Sequence, residues 1–159
     1  MKRHVTIAIV CATLVVLGRP QAAAGQAGTG PLKVFILAGQ SNMEGHAAAN
    51  TLDYLGEDQK HGALLGKARN KDGSSAVRED VWVCYWTRTE ERTGPLQPGF
   101  GAWRGEKTAM GINVGKSFGP ELGFGIVMGD HFQNQVLLIK IAWGGKSIFK
   151  DFRPPSSGG

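Results

Sequence analysis

A serine stands at the end of a short apolar run near the start of the sequence. Lys33 to Ala38 reads KVFILA, Gly39 follows, and the next residues are Gln40, Ser41 and Asn42. A serine exposed at the turn after a buried strand can act as a nucleophile, because neighbouring amide groups can stabilise the oxyanion of an attacked ester. Serine also caps the amino ends of helices, so the pattern alone leaves a structural role for Ser41 open.

A second apolar run ends in a similar way. Gln135 to Ala142 reads QVLLIKIA and is followed by Trp143, Gly144 and Gly145. Unalternating apolar runs are typical of strands that are covered on both faces in a parallel sheet. Ligands of such sheets bind outside the carboxyl ends of the strands. We therefore expect the Ser41 turn and the two glycines to meet at one edge of a sheet.

Other common catalytic and binding motifs are incomplete in this sequence. Gly39 to Met43 lacks the second glycine of the G-x-S-x-G elbow of α/β-hydrolases. Two Gly-Lys-Ser triplets, at 115–117 and 145–147, lack the first glycine at the spacing of a phosphate-binding loop. The histidines are scattered and have no metal-site spacing. We therefore expect no nucleotide, no metal ion and no other cofactor.

Several further elements should position these turns. Val81 to Trp86 predicts another strand, because it is rich in β-branched and aromatic residues. Gly119-Pro120-Glu121 predicts the start of a helix, since proline is tolerated in the first turn and glutamate favours the positive end of the helix dipole. We also predict a short helix near 62–69 and a turn at Asp72-Gly73. Strand, crossover, strand, helix, strand is the order of a doubly wound α/β layer.

The helix after Gly119 should pack one face on this sheet, with Gly123 and Gly125 permitting a close approach. The residues expected on that face are Leu122, Ile126, Val127 and His131. Before it, Thr87 to Ser117 is rich in glycine and has little periodicity, so we predict a long loop. Such loops are usually functional or mobile. Trp103 in this loop could contact a flat ligand such as a sugar, or could pin the loop to the core.

The amino terminus has the three parts of a secretory signal peptide. Residues 1–24 contain a basic start, an uncharged stretch from Val5 to Gly18, and small residues at Ala22 to Ala24 that suit cleavage. The uncharged stretch is shorter than the roughly 20 apolar residues of a membrane span. We therefore expect a secreted or periplasmic protein with a flexible lead-in at 25–32 and one domain from 33 to 159.

After removal of residues 1–24, the charge of the chain bears on its partners and its cysteine content bears on disulfide bonds. Without residues 1–24, 15 basic residues face 13 acidic ones. This balance gives no reason to expect nucleic acid, or a membrane after signal cleavage, as a partner. Only Cys84 remains, so the mature chain has no internal disulfide. In VWVCYW we expect it to be a small buried residue on a strand. The sequence does not predict an oligomeric state.

Three blocks of the sequence resemble one enzyme family. FILAGQSNMEGHA at 35–47 is similar to the opening block of the SGNH-type carbohydrate acetylesterases, a group that includes sialate O-acetylesterases and the acetylxylan esterases of carbohydrate esterase family 6. SFGPELGFG at 117–125 resembles the block that opens a helix in this family, and VLLIKIAWGGKSI at 136–148 resembles its strand and glycine turn. The first block is the most specific.

The resemblance implies a fold and a set of site residues. The fold would be a three-layer α/β/α, flavodoxin-like sheet that is mainly parallel. Ser41 would be the nucleophile, and the amide of Gly145 or Gly144 would join the serine amide in the oxyanion hole. Gln40 and Asn42 would be the neighbours of Ser41 in the binding site. The substrate would be an acetylated sugar or polysaccharide.

The sequence departs from this family at its carboxyl end. The family carries a Gln-Gly-Glu-type block and a late Asp-x-x-His segment that completes the catalytic triad, whereas this chain reads DFRPPSSGG at 151–159. We therefore interpret 33–159 as the N-terminal portion of a domain, nearly inactive alone unless a residue such as His131 supplies the base. The alternatives are an inactive fragment or a non-catalytic carbohydrate-binding remnant, in which Trp103 and Trp143 would stack on sugars.

Overall fold

A computed structural model describes residues 30–103, 105 and 116–158 of the chain. The predicted signal peptide at 1–24, most of the lead-in and part of the predicted loop lie outside these residues. The described residues form a four-stranded sheet, a two-stranded sheet and four α-helices. No described helix combines the length and the apolar character that crossing a bilayer requires.

The strands and helices alternate along most of the chain. The strands are β1 (Lys33–Gly39), β2 (Ala47–Ala48), β3 (Arg78–Trp86), β4 (Glu91–Leu96), β5 (Ser117–Phe118) and β6 (Val136–Ala142). The α-helices are α1 (Ser41–Glu44), α2 (Leu52–Leu55), α3 (Leu65–Ala68) and α4 (Pro120–His131). Short 3₁₀ turns occupy Ala49–Thr51, Gly62–Leu64 and Pro155–Ser157. The three predicted strands, the helix after Gly119 and the short helix near 62–69 are therefore confirmed.

The larger sheet has the strand order β1-β6-β3-β4. β6 lies in the centre and pairs in parallel with both β1 and β3, while β4 runs antiparallel to β3 at the edge. In the register of β1 with β6, Gly39 lies opposite Ala142. The two strands therefore end at the same level, and the turns that follow them leave the sheet side by side. The mixed α/β class with a mainly parallel sheet is confirmed.

α4 packs across β3 and β6 on one face of this sheet. The ring of Phe124 meets the ring of Phe35 of β1 edge-on, with centroids 5.2 Å apart. The fully buried side chains on this face come from alternate positions of β3 and β6, as the period of two in a strand requires. They are Val81, Val83, Tyr85, Val136, Leu138, Lys140 and Ala142. Lys140 is the one charged residue in this set.

The opposite face of the sheet is apolar and has no helix on it in the described part of the chain. Its exposed side chains include Val34 (49% exposed), Ile36 (69%), Trp82 (41%) and Trp86 (51%). Their apolar runs predicted that β1 and β6 are buried on both faces. In the structure, successive residues of each strand instead alternate in burial. Cys84 points to this face and is only half-buried, so the prediction of a buried thiol is wrong.

The segment predicted as a loop, Thr87 to Ser117, begins with a strand. β4 pairs with β3 in an antiparallel hairpin even though it contains Gly94 and Pro95. Proline is tolerated there because an edge strand has one side without a strand partner. At the end of the segment, Ser117–Phe118 pairs with Ala47–Ala48. The prediction of a structureless loop is therefore wrong at both ends. It is confirmed for residues 97–103, which have no helix or strand, and residues 104 and 106–115 lie outside the described residues.

The two glycines of α4 have different surroundings. A β-carbon on Gly125 would lie 2.5 Å from Leu96 Cδ2 and 3.0 Å from Leu138 Cδ1, whereas one on Gly123 would meet nothing within 4 Å. The predicted close approach is thus confirmed for Gly125 and wrong for Gly123. The helix face is also partly wrong. Leu122 is buried and Ile126 packs against the core, but Val127 is 58% exposed and His131 is exposed as well.

This contrast gives a matched pair of substitutions in one helix. Gly123→Ala should stabilise the protein by about 1 kcal/mol, because alanine favours the helix and the site is open. Gly125→Ala should destabilise it by about 1–3 kcal/mol, since the added methyl group overpacks the contact with the sheet. Urea unfolding followed by circular dichroism measures both values. Equal effects of the two substitutions would contradict this packing of α4.

Candidate active site

Ser41 is the first residue of α1, directly after β1. The N-cap residue is Gln40, and its side chain makes no capping hydrogen bond. Ser41 therefore lies inside the helix, and the capping role that the sequence left open is not the one it has. The side chain is half-buried, and among the described residues its hydroxyl has no hydrogen-bond partner. This hydroxyl is available to a ligand.

A glycine makes the sharp turn from β1 into α1 possible. A β-carbon on Gly39 would lie 2.7 Å from Met43 Cβ, so a side chain at this position would push the helix away from the strand. The turn is closed by backbone hydrogen bonds, since Glu44 N–H donates to Gln40 O at 2.7 Å and Gly45 N–H donates to Ser41 O at 3.1 Å. The sequence GQSNM thus places Ser41 just past the carboxyl end of β1.

The turn after β6 brings Gly144 next to Ser41. A β-carbon on Gly144 would lie 3.9 Å from Ser41 Cβ and 2.7 Å from Glu44 Oε2. The Gly144 amide donates to this same Glu44 oxygen at 3.1 Å. Gly145 has a left-handed φ of +72° and open space around its Cα. Its amide has no acceptor among the described residues.

Gln40 and Asn42 flank Ser41, and both are exposed. Gln40 lines a mostly apolar cavity of about 490 Å³ between the end of β1 and the segment after β6. The other lining residues are Ala38, Gly39, Lys146, Ser147, Ile148 and Phe152. Asn42 is not among them. Ser41, Gly144 and Gly145 do not line it either. The structure brings Ser41 next to Gly144, with Gly145 following in the chain, and leaves Asn42 exposed on α1.

One wall of this cavity is fixed by an ion pair. Lys146 Nζ lies 2.6 Å from Asp151 Oδ1, and the amide of Ser147 donates to Asp151 Oδ2 at 2.9 Å. These two contacts lower the pKa of the Asp151 carboxyl below its ordinary value, with the lysine contact the larger cause. The charge of Lys146 is therefore already paired beside the cavity.

The buried residue Lys140 stabilises the site through three hydrogen bonds. Lys140 Nζ donates to Glu44 O at 2.9 Å, to Phe100 O at 2.7 Å and to Glu121 Oε2 at 2.7 Å. An ammonium group has three protons, so all of its donors are used. Both side chains of the Lys140–Glu121 pair are fully buried. The other Glu121 oxygen accepts the amide of Gly119 at 2.8 Å, which ties the start of α4 to the same group.

The electrostatics of this cluster follow from burial. Burial lowers the pKa of Lys140, while the Glu121 charge acts in the opposite direction. The Lys140 ammonium lies 4.4 Å from the centre of the Tyr85 ring. The pKa of Tyr85 is raised well above its ordinary value by burial and then by the charge of Glu44. Its hydroxyl donates to Ala142 O at 3.2 Å, at the last residue of β6.

Two glycines bring α1 and α4 into backbone contact. A β-carbon on Gly45 would lie 2.3 Å from Gly119 Cα, and one on Gly119 would lie 2.8 Å from Gly45 Cα. These residues stand at the end of α1 and at the start of α4. The first two sequence blocks therefore meet directly, and the third joins them through Lys140.

The described histidines differ in their relation to Ser41. His46 Nε2 lies 3.6 Å from Glu44 Oε2, and its ring meets Trp103 edge-on at 5.0 Å. His61 pairs with Asp58 in the turn after α2. His131 is exposed at the far end of α4, which at about 1.5 Å per residue places it roughly 16 Å from the start of that helix. This position removes His131 as a base for Ser41.

Trp103 and Trp143, which would stack on sugars in a carbohydrate-binding remnant, already contact other residues of the chain. Trp143 stacks on Phe152 with ring centroids 5.1 Å apart and an interplanar angle of 14°. Its Nε1–H donates to Trp86 O at 3.2 Å. Trp103 is half-buried against His46. These contacts cover part of each ring, so less of the ring is free to stack on a sugar.

Two residues of the site were not predicted from the sequence. Lys140 lies within the apolar run QVLLIKIA, where a lysine is itself a sign of a buried ion pair. Glu44 carries no such sign, because its contact with Gly144 joins two turns that are far apart in the sequence.

The Lys140 cluster leads to a stability prediction. Lys140→Met should destabilise the protein by about 3–5 kcal/mol, because it leaves the Glu121 carboxylate buried without its cationic partner. Adding Glu121→Gln should recover part of this loss, since the amide oxygen can still accept from Gly119. Urea midpoints of the single and double variants measure the difference. A Lys140→Met variant within about 1 kcal/mol of the wild type would contradict the buried pair.

The comparison with known protein families agrees with this geometry. The family model described as carbohydrate esterase, sialic acid-specific acetylesterase, matches residues 31–158. Neither the curated proteins nor the solved structures include a significant match to the chain. The matched range contains both turns of the site and the buried lysine between them. The chain belongs to the sialic acid-specific acetylesterase family of carbohydrate esterases.

Proposed function

We propose that this protein is a serine esterase that removes O-acetyl groups from sugars or polysaccharides, in the manner of a sialate O-acetylesterase. The observation that carries the proposal is the position of Ser41 next to the Gly144–Gly145 turn, with a hydroxyl that has no partner among the described residues. A nucleophile and an amide donor must flank the same carbonyl group in an acyl transfer. The family supports a carbohydrate ester as the substrate.

The proposed reaction has two steps. Ser41 Oγ attacks the acetyl carbonyl carbon while a base takes its proton, and the oxyanion forms between the amides of Ser41 and Gly145. The tetrahedral intermediate expels the sugar oxygen, which receives this proton. Water then attacks the acetyl-enzyme and releases acetate and the free serine. Loss of one oxyanion donor in such sites costs roughly 3 kcal/mol of barrier.

We propose that the base is a histidine that this chain does not supply. His131 lies at the wrong end of α4 for this role. A serine hydroxyl near its free pKa is a weak nucleophile without a base, so the 159-residue chain alone should turn over slowly. The apolar open face of the sheet agrees with a three-layer SGNH-type domain of which this chain forms one part. Secretion or export to the periplasm, based on residues 1–24, is part of the same proposal.

Chemical rescue tests the nucleophile separately from the base. Added imidazole can accept the proton of Ser41, so it should increase aryl acetate turnover by this protein well above the imidazole background. Ser41→Ala should remove this increase completely, because no hydroxyl remains to be acylated. A general base contributes about 10²–10⁴-fold, which leaves room for a measurable rescue.

Two further measurements make this test decisive. Circular dichroism must show that Ser41→Ala is folded like the wild type. Ser156→Ala is the control, because this serine lies in the 3₁₀ turn Pro155–Ser157 after the cavity segment and should behave like the wild type. Identical rates for the wild type and Ser41→Ala at every imidazole concentration would overturn the esterase proposal.

A further inference from the structure

Glu44 joins the two turns of the candidate active site. It is three residues after Ser41 in α1, so both side chains lie on the same side of that helix. Its Oε2 accepts the amide of Gly144 at 3.1 Å, and its backbone oxygen accepts from Lys140 at 2.9 Å. The side chain is 21% exposed, and its contact with Gly144 is partly buried. Both ends of Glu44 are therefore held in place.

This contact separates the roles of the two glycines. A β-carbon on Gly144 would lie 2.7 Å from Glu44 Oε2 and 3.9 Å from Ser41 Cβ, so the three groups surround one small space. The Gly144 amide is used by the carboxylate and is not available to a substrate. The Gly145 amide follows in the chain and has no acceptor among the described residues. The sequence left the choice between these two donors open.

We propose that Glu44 is a positioning residue that fixes the Gly144 peptide and so presents the Gly145 amide to the oxyanion formed at Ser41. The inference rests on the esterase function proposed above. A carboxylate that accepts an amide N–H makes a charge-assisted hydrogen bond, which is stronger than a neutral one. The turn that contains Gly144 and Gly145 is also closed by a long hydrogen bond from Lys146 N–H to Trp143 O at 3.3 Å, but the amide of Gly145 itself, at a left-handed φ, has no partner among the described residues.

The charge of Glu44 is not itself useful to the reaction. A negative charge beside a developing oxyanion opposes it by Coulomb repulsion. Among the described residues, His46 Nε2 lies 3.6 Å from Glu44 Oε2, and the buried Lys140 donates to the Glu44 backbone oxygen. Glutamine keeps an oxygen acceptor for Gly144 and removes the charge. The inference therefore assigns the role to the acceptor atom, and Glu44→Gln separates it from the charge.

The test compares Glu44→Ala and Glu44→Gln with the wild type in the full chain. A fluorophosphonate probe, which phosphonylates an activated serine, is applied with imidazole present, and intact mass spectrometry follows the labelling of Ser41. The Glu44→Ala substitution should lower the maximal labelling rate by about tenfold or more, with little change in the probe concentration at half-maximal rate. Glu44→Gln should stay within about threefold of the wild type.

A second readout and a control distinguish positioning from general damage. Amide hydrogen exchange at Gly144, measured by NMR, should become faster in Glu44→Ala and stay slow in Glu44→Gln. Glu57→Ala, at an exposed glutamate after α2, should change neither the labelling nor the exchange.

The outcomes separate this inference from the function on which it rests. Wild-type labelling of Ser41 with equal rates in Glu44→Ala overturns the positioning role and leaves the esterase in place. Equal losses in Glu44→Ala and Glu44→Gln also overturn it, because the charge would then matter and not the acceptor. Absence of Ser41 labelling in the wild type overturns the esterase proposal itself, and the oxyanion role of Glu44 with it.

Discussion

The ammonium group of Lys140 is enclosed by oxygen atoms from three separate parts of the chain. These are the backbone of Glu44 at the end of α1, the backbone of Phe100 after β4, and the carboxylate of Glu121 in α4. Burying an unpaired charge would cost several kcal/mol, so the native state is favoured only when all three acceptors are in place. One side chain of the central strand thus fixes the helix that carries Ser41.

The sheet supplies the second condition for the site. β1 and β6 are adjacent and parallel, and their register ends both strands at Gly39 and Ala142. The Ser41 turn and the Gly144–Gly145 turn then leave the sheet next to each other, joined by a backbone hydrogen bond from Trp143 N–H to Gly39 O at 3.3 Å. Glu44 is the side chain that links them. The strand register sets the approximate distance between the two turns, and the hydrogen bond to Gly144 sets the orientation of its peptide.

The sequence predicts those parts of the fold that depend on local patterns. The apolar runs before Ser41 and Gly144 identify β1 and β6 as strands, although the burial on both faces that such runs predict is not observed. β4 was missed, since an edge strand tolerates Pro95 and charged residues that a central strand would not. The exposure of Val127 was missed because α4 is apolar around most of its circumference, and only the position of the sheet decides which residues are buried. The role of Glu44 depends on a contact across two turns, which no local pattern encodes.

The contact between Gly45 and Gly119 has a consequence for exchanging parts between relatives. Each glycine faces backbone atoms of the other, so a bulkier residue on either side cannot be accommodated by a change of side-chain rotamer. The excursion between them, which includes β2, α2, α3 and the β3–β4 hairpin, leaves and returns at one fixed point. A chimaera could therefore take a β2–α3 segment of different length from another protein, provided that both glycine junctions, β3 and the Phe100 acceptor of Lys140 are kept.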